Sequence, residues 1–252
     1  KNLFTLGFVF GFGFFLSGIF WISYSLTFDD SFKYLIPFAI MFIPLFLSIF
    51  TGLTILIVGQ YLSYNLSSIL LFSGSLAVCD YIRGKILSGF PWNLWGYSWS
   101  WFTEILQILN QIGLFAFNLL AITFFTLPAI IFFKVTTSKK ILATIITLLI
   151  IFLLYIYGSS SINKNKDLIE SIENDNKIYT KVISPNFDLR YNSSIGEIEN
   201  KLKKLIRFSE PDPKKNTLFI WPEGVFTGYS YNDISQFKEL MRNKFTIKHK
   251  IL

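Results

Sequence analysis

From Tyr34 to Cys79 the chain reads YLIPFAIMFIPLFLSIFTGLTILIVGQYLSYNLSSILLFSGSLAVC, without one charged side chain. A helix needs about 20 mostly apolar residues to cross a hydrocarbon core about 30 Å thick, so this run is long enough for two crossings. The polar cluster from Gly59, Gln60 and Tyr61 to Ser63, Tyr64 and Asn65 is the natural turn between them. Toward the N-terminus, Leu3–Leu26 is another uncharged run. Its Gly7, Gly11, Gly13 and Gly18 would let a neighbouring helix come close. Toward the C-terminus, Ile105–Phe133 and Ile141–Tyr157 make a fourth and a fifth run, joined by a link with three lysines. The predicted spans are residues 3–26, 34–58, 62–82, 105–133 and 139–157.

Overall the chain is 52% hydrophobic and 15% charged, and those averages hide a break. Residues 1–158 hold seven Lys/Arg and four Asp/Glu, whereas residues 159–252 hold sixteen and twelve. The two densities predict a bilayer environment followed by water. The net charge of +7 is spread over scattered lysines, which excludes the clustered basic face that a nucleic-acid partner needs. The single cysteine, Cys79, has no partner for an internal disulfide and reads as an inert thiol in an apolar run. With Lys1 at one end and Ile251-Leu252 at the other, the chain reads as an internal piece of a longer protein. Leu3–Phe28 is therefore not assigned as a signal peptide. Five spans put the two ends on opposite sides of the membrane. Lys1, Lys134, Lys139 and Lys140 then face Lys33, Arg83 and Lys85, so the positive-inside rule makes the N-terminal side cytoplasmic by four to three. Everything after Gly158 is expected outside the cytoplasm.

The polar segment alternates. Lys177–Ser184 reads as a strand ended by Pro185, and Ile195–Phe208 as a helix with Ile195, Ile198, Leu202, Leu205 and Ile206 at helical spacing. Thr217–Trp221 suits a buried strand stopped by Pro222, and Asp233–Lys244 a second helix. The fold class expected is a multi-span α-helical membrane bundle, 1–158, followed by the N-terminal part of an α/β domain, 177–252.

Two stretches carry chemistry. The first, at 83–102, includes Arg83-Gly84-Lys85 and Gly89-Phe90-Pro91-Trp92-Asn93-Leu94-Trp95-Gly96-Tyr97. Its glycines and proline make a poor helix, and non-helical backbone at membrane depth must be shielded by protein or line a wet cavity. It reads either as an interfacial aromatic belt or as a re-entrant loop walling a lipid-entry site. The second is Leu218-Phe219-Ile220-Trp221-Pro222-Glu223-Gly224, in which a buried strand delivers a carboxylate at its C-terminal end. Glu223 is either a solvated loop residue or, if desolvated, a general base working near neutral pH.

Taken in order, these stretches resemble a known family. The Gly-Phe-Pro-Trp and Gly-Tyr pattern at 89–97, after the Arg83-Gly84 turn, is similar to the membrane part of apolipoprotein N-acyltransferases. So are Gly11-Phe12-Gly13, Ser17-Gly18, Trp21 and Thr51-Gly52-Leu53. Trp221-Pro222-Glu223 after an apolar strand resembles the first catalytic motif of the nitrilase superfamily. The order of parts matches over essentially all 252 residues.

The resemblance implies an enzyme of a bacterial inner (plasma) membrane, with a nitrilase-like α-β-β-α domain on the periplasmic side. It implies transfer of an acyl chain from a phospholipid to the N-terminal diacylglyceryl-cysteine of a lipoprotein, without cofactor or metal. The family route is ping-pong: a Cys thiolate takes the acyl group as a thioester and the amine then attacks it. A Glu serves as base and a Lys steadies the oxyanion. By motif Glu223 would be that base, and Phe90, Pro91, Trp92 and Tyr97 would shape the lipid-facing side of the cavity. The family's catalytic Lys and Cys have no counterpart among these 252 residues, and Cys79 belongs to no matching motif. The 252-residue chain alone is therefore expected to be inactive. Ser184-Pro185-Asn186 stands where the family usually has Gln-Gly-Asn or Gln-Pro-Asn. Tyr191 is the nearest aromatic to a missing family Trp, and Gly224-Val225-Phe226 follows the Glu where many members have a small residue and Ala.

Two rival readings remain. A membrane-anchored nitrilase-type amidase would share Glu223, but one span would suffice to anchor it. A non-enzymatic transporter would be expected to carry ionisable groups in its spans and internal repeats; the spans are read as carrying no such groups.

Overall fold

The protein is described here by a computed structural model, covering residues 2–86, 89–172, 178–187, 195–226 and 229–252. Leu87, Ser88, Lys177 and Tyr191, which enter the sequence reading above, lie outside the described residues. The chain divides into two compact units, Lys1–Tyr24 with Tyr34–Ile169, and Ser25–Lys33 with Glu170–Leu252.

The first unit is helical. Helix α1 (Leu3–Ile19) starts at Asn2, whose side chain accepts from the Thr5 amide, and runs on as 3-10 turns through Phe20–Thr27. Helix α2 (Ile36–Val58) begins with Pro37 in its first turn, where the missing N–H costs nothing. Pro44, inside it, removes one rung of the ladder. Helix α3 (Leu66–Arg83) is capped by Asn65, which accepts from the Ser68 amide at 2.9 Å. A short α4 (Thr103–Leu106) precedes α5 (Leu109–Thr126), where Gly113 takes φ 74° and breaks the helical path. Helix α6 (Thr137–Ile172) is 36 residues long, about 54 Å at 1.5 Å per residue, so it runs well past the predicted fifth span. Among the described residues, five helical segments are long and apolar enough to cross a membrane: Leu3–Thr27, Asp30–Tyr61, Leu66–Arg83, Leu109–Phe132 and Thr137–Glu170.

Between lipid-soluble helices there is little hydrophobic drive to associate, so close packing has to hold them. Gly7 and Gly11 supply it on α1. A Cβ at Gly7 would lie 2.6 Å from the Thr51 carbonyl oxygen, and one at Gly11 would overlap the Thr51 hydroxyl. Gly18 faces Asn93, and Gly13 faces open space, so three of the four glycines mark close approaches and Gly13 does not. Phe15, Ile19 and Leu47 form the buried seam of α1 and α2, with Phe90 packed against them.

The second unit contains a three-stranded parallel sheet in the order β1 (Tyr179–Val182), β2 (Thr217–Ile220), β3 (His249–Ile251). Thr217 sits between Tyr179 and His249 in register. Helix α7 (Ile195–Ser209) crosses from β1 to β2, and Ile198, Leu202 and Leu205 on its apolar face are buried. With Ile183, Phe219 and Val225, Leu205 makes the core of this unit. The helix expected over Asp233–Lys244 is instead two short ones, α8 (Tyr231–Ser235) and α9 (Lys238–Arg242). Ser230 and Asp233 close a capping box that starts α8 ahead of the expected position, and Phe237 leaves helical geometry between the two. Strand β3 falls on residues to which the sequence reading assigns no element.

Candidate functional site

Gly89 and Asn93 bend the loop after α3 with positive φ values of 74° and 59°. A Cβ at position 89 would lie 2.8 Å from the Gly84 carbonyl oxygen, so glycine is required there. Gly89 to Leu94 form no helix, and a 3-10 turn follows at Trp95–Trp99. Of the four residues proposed from the sequence, Tyr97 and Pro91 are joined by a hydrogen bond, the Tyr97 hydroxyl donating to the Pro91 carbonyl at 3.1 Å. Phe90 turns inward to the α1–α2 seam, while Trp92 is 51% and Tyr97 42% exposed. Trp92 meets Trp21 edge to face at 5.8 Å, and Trp95 stacks on Phe14 at 4.8 Å. The Asn93 side chain donates to the Phe14 carbonyl at 3.3 Å.

Beneath the loop lies a polar network that the sequence reading did not foresee. Arg83, in the last turn of α3, donates through Nη1 to the carbonyls of Phe90 (2.7 Å) and Trp92 (2.9 Å). Its Nη2 donates to Asp80 Oδ1 at 3.0 Å. Asp80 Oδ2 accepts from Asn118 Nδ2 at 2.9 Å, and Asn118 Oδ1 accepts from the Gly96 amide at 3.0 Å. All three side chains are buried, and the guanidinium carbon stands 5.1 Å from the Phe15 ring centre. Arg83 Nε and Trp99 Nε1 are buried without a hydrogen-bond partner among the described residues. The expectation that the spans carry no ionisable group is therefore wrong, since Asp80 and Arg83 lie within Leu66–Arg83 and are paired there. One argument against a transporter falls with it. The signal was present in the sequence as an Asp and an Arg three residues apart, one helical turn, at the end of an apolar run. Asn118 is a lone amide among apolar residues and carried no comparable signal.

Cys79, beside Asp80, is buried in α3.

In the second unit, Trp221-Pro222-Glu223 leaves the C-terminal end of β2, the central strand. Trp221 is tied down by its indole N–H, which donates to Ser209 Oγ at 3.0 Å, and by its amide, which donates to the Leu252 carbonyl. Two residues after the Glu, Val225 is buried and its carbonyl accepts from Lys201 Nζ at 3.1 Å. Gly224 turns the chain between these anchors with φ 76°. Glu223 is thus held at the tip of a turn with both flanks fixed, and it is exposed. The described residues do not desolvate it. Ser184-Pro185-Asn186 follows β1, with Asn186 at φ 49° and its carbonyl accepting from Lys204 Nζ. Among the described residues, no cluster of His, Cys, Asp or Glu could hold a metal.

The family model for the apolipoprotein N-acyltransferase N-terminal domain matches residues 1–127. The chain is 29% identical over 247 residues to an apolipoprotein N-acyltransferase of Rickettsia prowazekii, an alignment covering 98% of this chain and 48% of that protein. It is 28% identical over 232 residues to the protein of that name from Rhodopseudomonas palustris, covering 87% of this chain and 42% of the relative. It is 36% identical over 127 residues to the one from Brucella melitensis, covering 50% and 24%. The alignments span less than half the length of these relatives. With five apolar helices of crossing length among the described residues and a family model over half the chain, this is a membrane protein, and the chain belongs to the apolipoprotein N-acyltransferase family.

Proposed function

We propose that the complete gene product transfers an acyl chain from a phospholipid to the N-terminal diacylglyceryl-cysteine of a lipoprotein. The observation that carries the reading is the seat of Glu223, at the tip of a turn off the central strand of a parallel sheet in a chain of this family. That is where α/β folds offer groups to a ligand. In this reading Glu223 takes the proton of a cysteine thiol, the thiolate attacks the phospholipid ester, and Glu223 returns that proton to the oxygen of the departing lysophospholipid, which leaves a thioester. The lipoprotein amine then attacks the thioester and gives a proton to Glu223, which passes it to the leaving cysteine sulfur, so the product leaves as an amide and the thiol is regenerated. Neither the nucleophile nor the oxyanion-stabilising lysine is assigned within this chain. Cys79 is buried in a membrane helix and is not the nucleophile.

In the same reading, residues 1–158 form the membrane domain and 177–252 the beginning of a nitrilase-like domain on the periplasmic side of a bacterial inner membrane. Phe90, Pro91, Trp92 and Tyr97 shape the lipid-facing side of the active-site cavity. Supporting this, Trp92 and Tyr97 are exposed aromatic groups on a loop held by Arg83 at the Phe90 and Trp92 carbonyls and by Asn118 at the Gly96 amide.

The test is acyl transfer by the purified complete gene product, with phospholipid vesicles as donor and a diacylglyceryl-cysteine peptide as acceptor, read by mass spectrometry. The peptide is expected to gain one acyl chain, and Glu223→Gln to abolish the gain. Free fatty acid without acylated peptide would instead establish a hydrolase.

A further inference from the structure

A buried ion pair is expensive to desolvate and is often no better for stability than apolar packing of the same volume. The Asp80–Arg83 pair, with side-chain exposures of 5% and 1%, therefore calls for a more specific account than cohesion. Its hydrogen bonds supply one. Gly89 to Leu94 form no helix, and Pro91 has no N–H to give. Backbone in that shape beside apolar helices leaves carbonyls that need donors from elsewhere. One guanidinium nitrogen serves two of them, Phe90 and Trp92, on either side of the proline. Asn118 does the converse for the Gly96 amide. Asp80 joins the two, accepting from Arg83 with one oxygen and from Asn118 with the other. The geometry points to Asp80, Arg83 and Asn118 as positioning residues of the acyl-transfer reaction, which hold Phe90–Tyr97 in the non-helical shape that presents Trp92 and Tyr97 to the phospholipid. This rests on the reading that the loop meets the lipid.

The network makes an unusual prediction because its donors and acceptors run in one direction. In Asp80→Asn, an amide N–H₂ replaces the oxygen that accepts from Asn118, and two donors face each other. In Asn118→Asp, two carboxylates face each other. The double substitution Asp80→Asn with Asn118→Asp exchanges carboxylate and amide and restores every bond: Arg83 still donates to an oxygen at 80, the amide at 80 donates to the carboxylate at 118, and that carboxylate still accepts from the Gly96 amide. Arg83→Lys keeps the charge but replaces the planar fork with a single ammonium that cannot reach all three oxygens in the same arrangement.

The experiment uses the complete gene product in phospholipid nanodiscs. It measures steady-state kinetics with varied phospholipid donor, and hydrogen–deuterium exchange of the segment 89–97. Each single substitution, and Arg83→Lys, is expected to raise the donor KM about tenfold with kcat within about twofold. Amide exchange at Phe90 and Gly96 should quicken, with α1 and α2 unchanged. The double substitution is expected to return both readouts to within about twofold of the native protein. A double variant no better than the singles, or singles that leave loop exchange unaltered, would overturn the positioning role. Loosened and rescued loop exchange with an unmoved donor KM would instead overturn the lipid-contact reading beneath it. If the singles fail to accumulate in the membrane, the double variant and Arg83→Lys carry the same comparison.

Discussion

Alanine substitution at three glycines of α1 should give three different answers, and the structure sets their order. At Gly7 an added Cβ would stand 2.6 Å from the Thr51 carbonyl oxygen and 2.7 Å from Ile55 Cβ, where ordinary contact begins at 3.4 Å. The nearest atom belongs to α2 backbone and cannot rotate away, so the helices must part by about 0.8 Å, the difference between those two distances. A radial gap of 0.5–1 Å forfeits roughly a quarter to a half of each van der Waals contact it opens, and overpacking of this kind costs about 1–3 kcal/mol. At Gly11 the first obstacle is the Thr51 hydroxyl, which can rotate only by giving up its hydrogen bond to the Ser48 carbonyl. Thr51 Cβ at 3.0 Å and Ser48 Cα at 3.2 Å remain, so the cost falls toward the lower end of that range. At Gly13 nothing lies within 4 Å, and alanine gains helix propensity of about 1 kcal/mol over glycine, so the variant should be neutral or slightly stabilised. The assay is thermal unfolding of the complete gene product in one detergent, with the three single variants side by side. The expected order of melting temperature is Gly13→Ala at or above native, then Gly11→Ala, then Gly7→Ala. A Gly7→Ala protein as stable as Gly13→Ala would refute the α1–α2 packing from which the order was derived.

Leu205 is fully buried under the sheet of the second unit, against Ile183, Phe219 and Val225, so Leu205→Ala should cost about 2–5 kcal/mol. Chemical denaturation followed by Trp221 fluorescence would show it as an earlier transition. Asp233 is held below the usual carboxylate range by the Ser230 hydroxyl and then the Ser230 amide. Its native value lies below its unfolded one, so its contribution is present above about pH 4, the ordinary aspartate value, and is lost as pH falls through the lower native value. Ser230→Ala should bring Asp233 back toward that ordinary value in an NMR titration of the side chain.

The bundle was legible because crossing a bilayer imposes a length and a composition together, and α2, α3 and α5 occupy runs that have both. The alternation of β1, α7 and β2 was legible for a similar reason. Ile198, Leu202 and Leu205 recur at helical spacing, and Thr217–Ile220 is apolar between polar flanks. Strand β3 was not legible. His249–Ile251 is three residues long, and its place in the sheet comes from pairing with Thr217–Phe219 far back in the chain, which no local pattern encodes. The split between α8 and α9 was hidden because Asp233 reads as a helix start by itself. Its actual role, closing a capping box with Ser230, moves the start ahead of it. Glu223 was legible as a strand-end carboxylate, but its exposure was not, since burial depends on what packs over a turn.

The polar network was not legible for a different reason: Asp80 and Arg83 stand at the end of an uncharged run and read as its boundary, while the stretch at 83–102 reads by itself as a belt or a re-entrant loop. Each taken singly has an ordinary explanation, a snorkelling arginine in the last turn of a span or an aromatic belt at the interface. Together they account for each other. A loop that gives up helical geometry beside apolar helices creates carbonyls and amides that must be satisfied. The last turn of α3 and the middle of α5 supply an Arg, an Asp and an Asn whose side chains satisfy them. The desolvation cost of the Asp80–Arg83 pair is offset because Arg83 replaces backbone partners that Pro91 and its neighbours lack. The same accounting explains why the pair lies next to the loop and not at mid-span: Arg83 is six residues before Gly89 in the chain, near enough for one side chain to reach both carbonyls. An Asp-x-x-Arg at the end of a span, followed closely by an uncharged Gly/Pro/Trp stretch, is on this argument one structural unit, and its charged and aromatic halves should be altered together when either is tested.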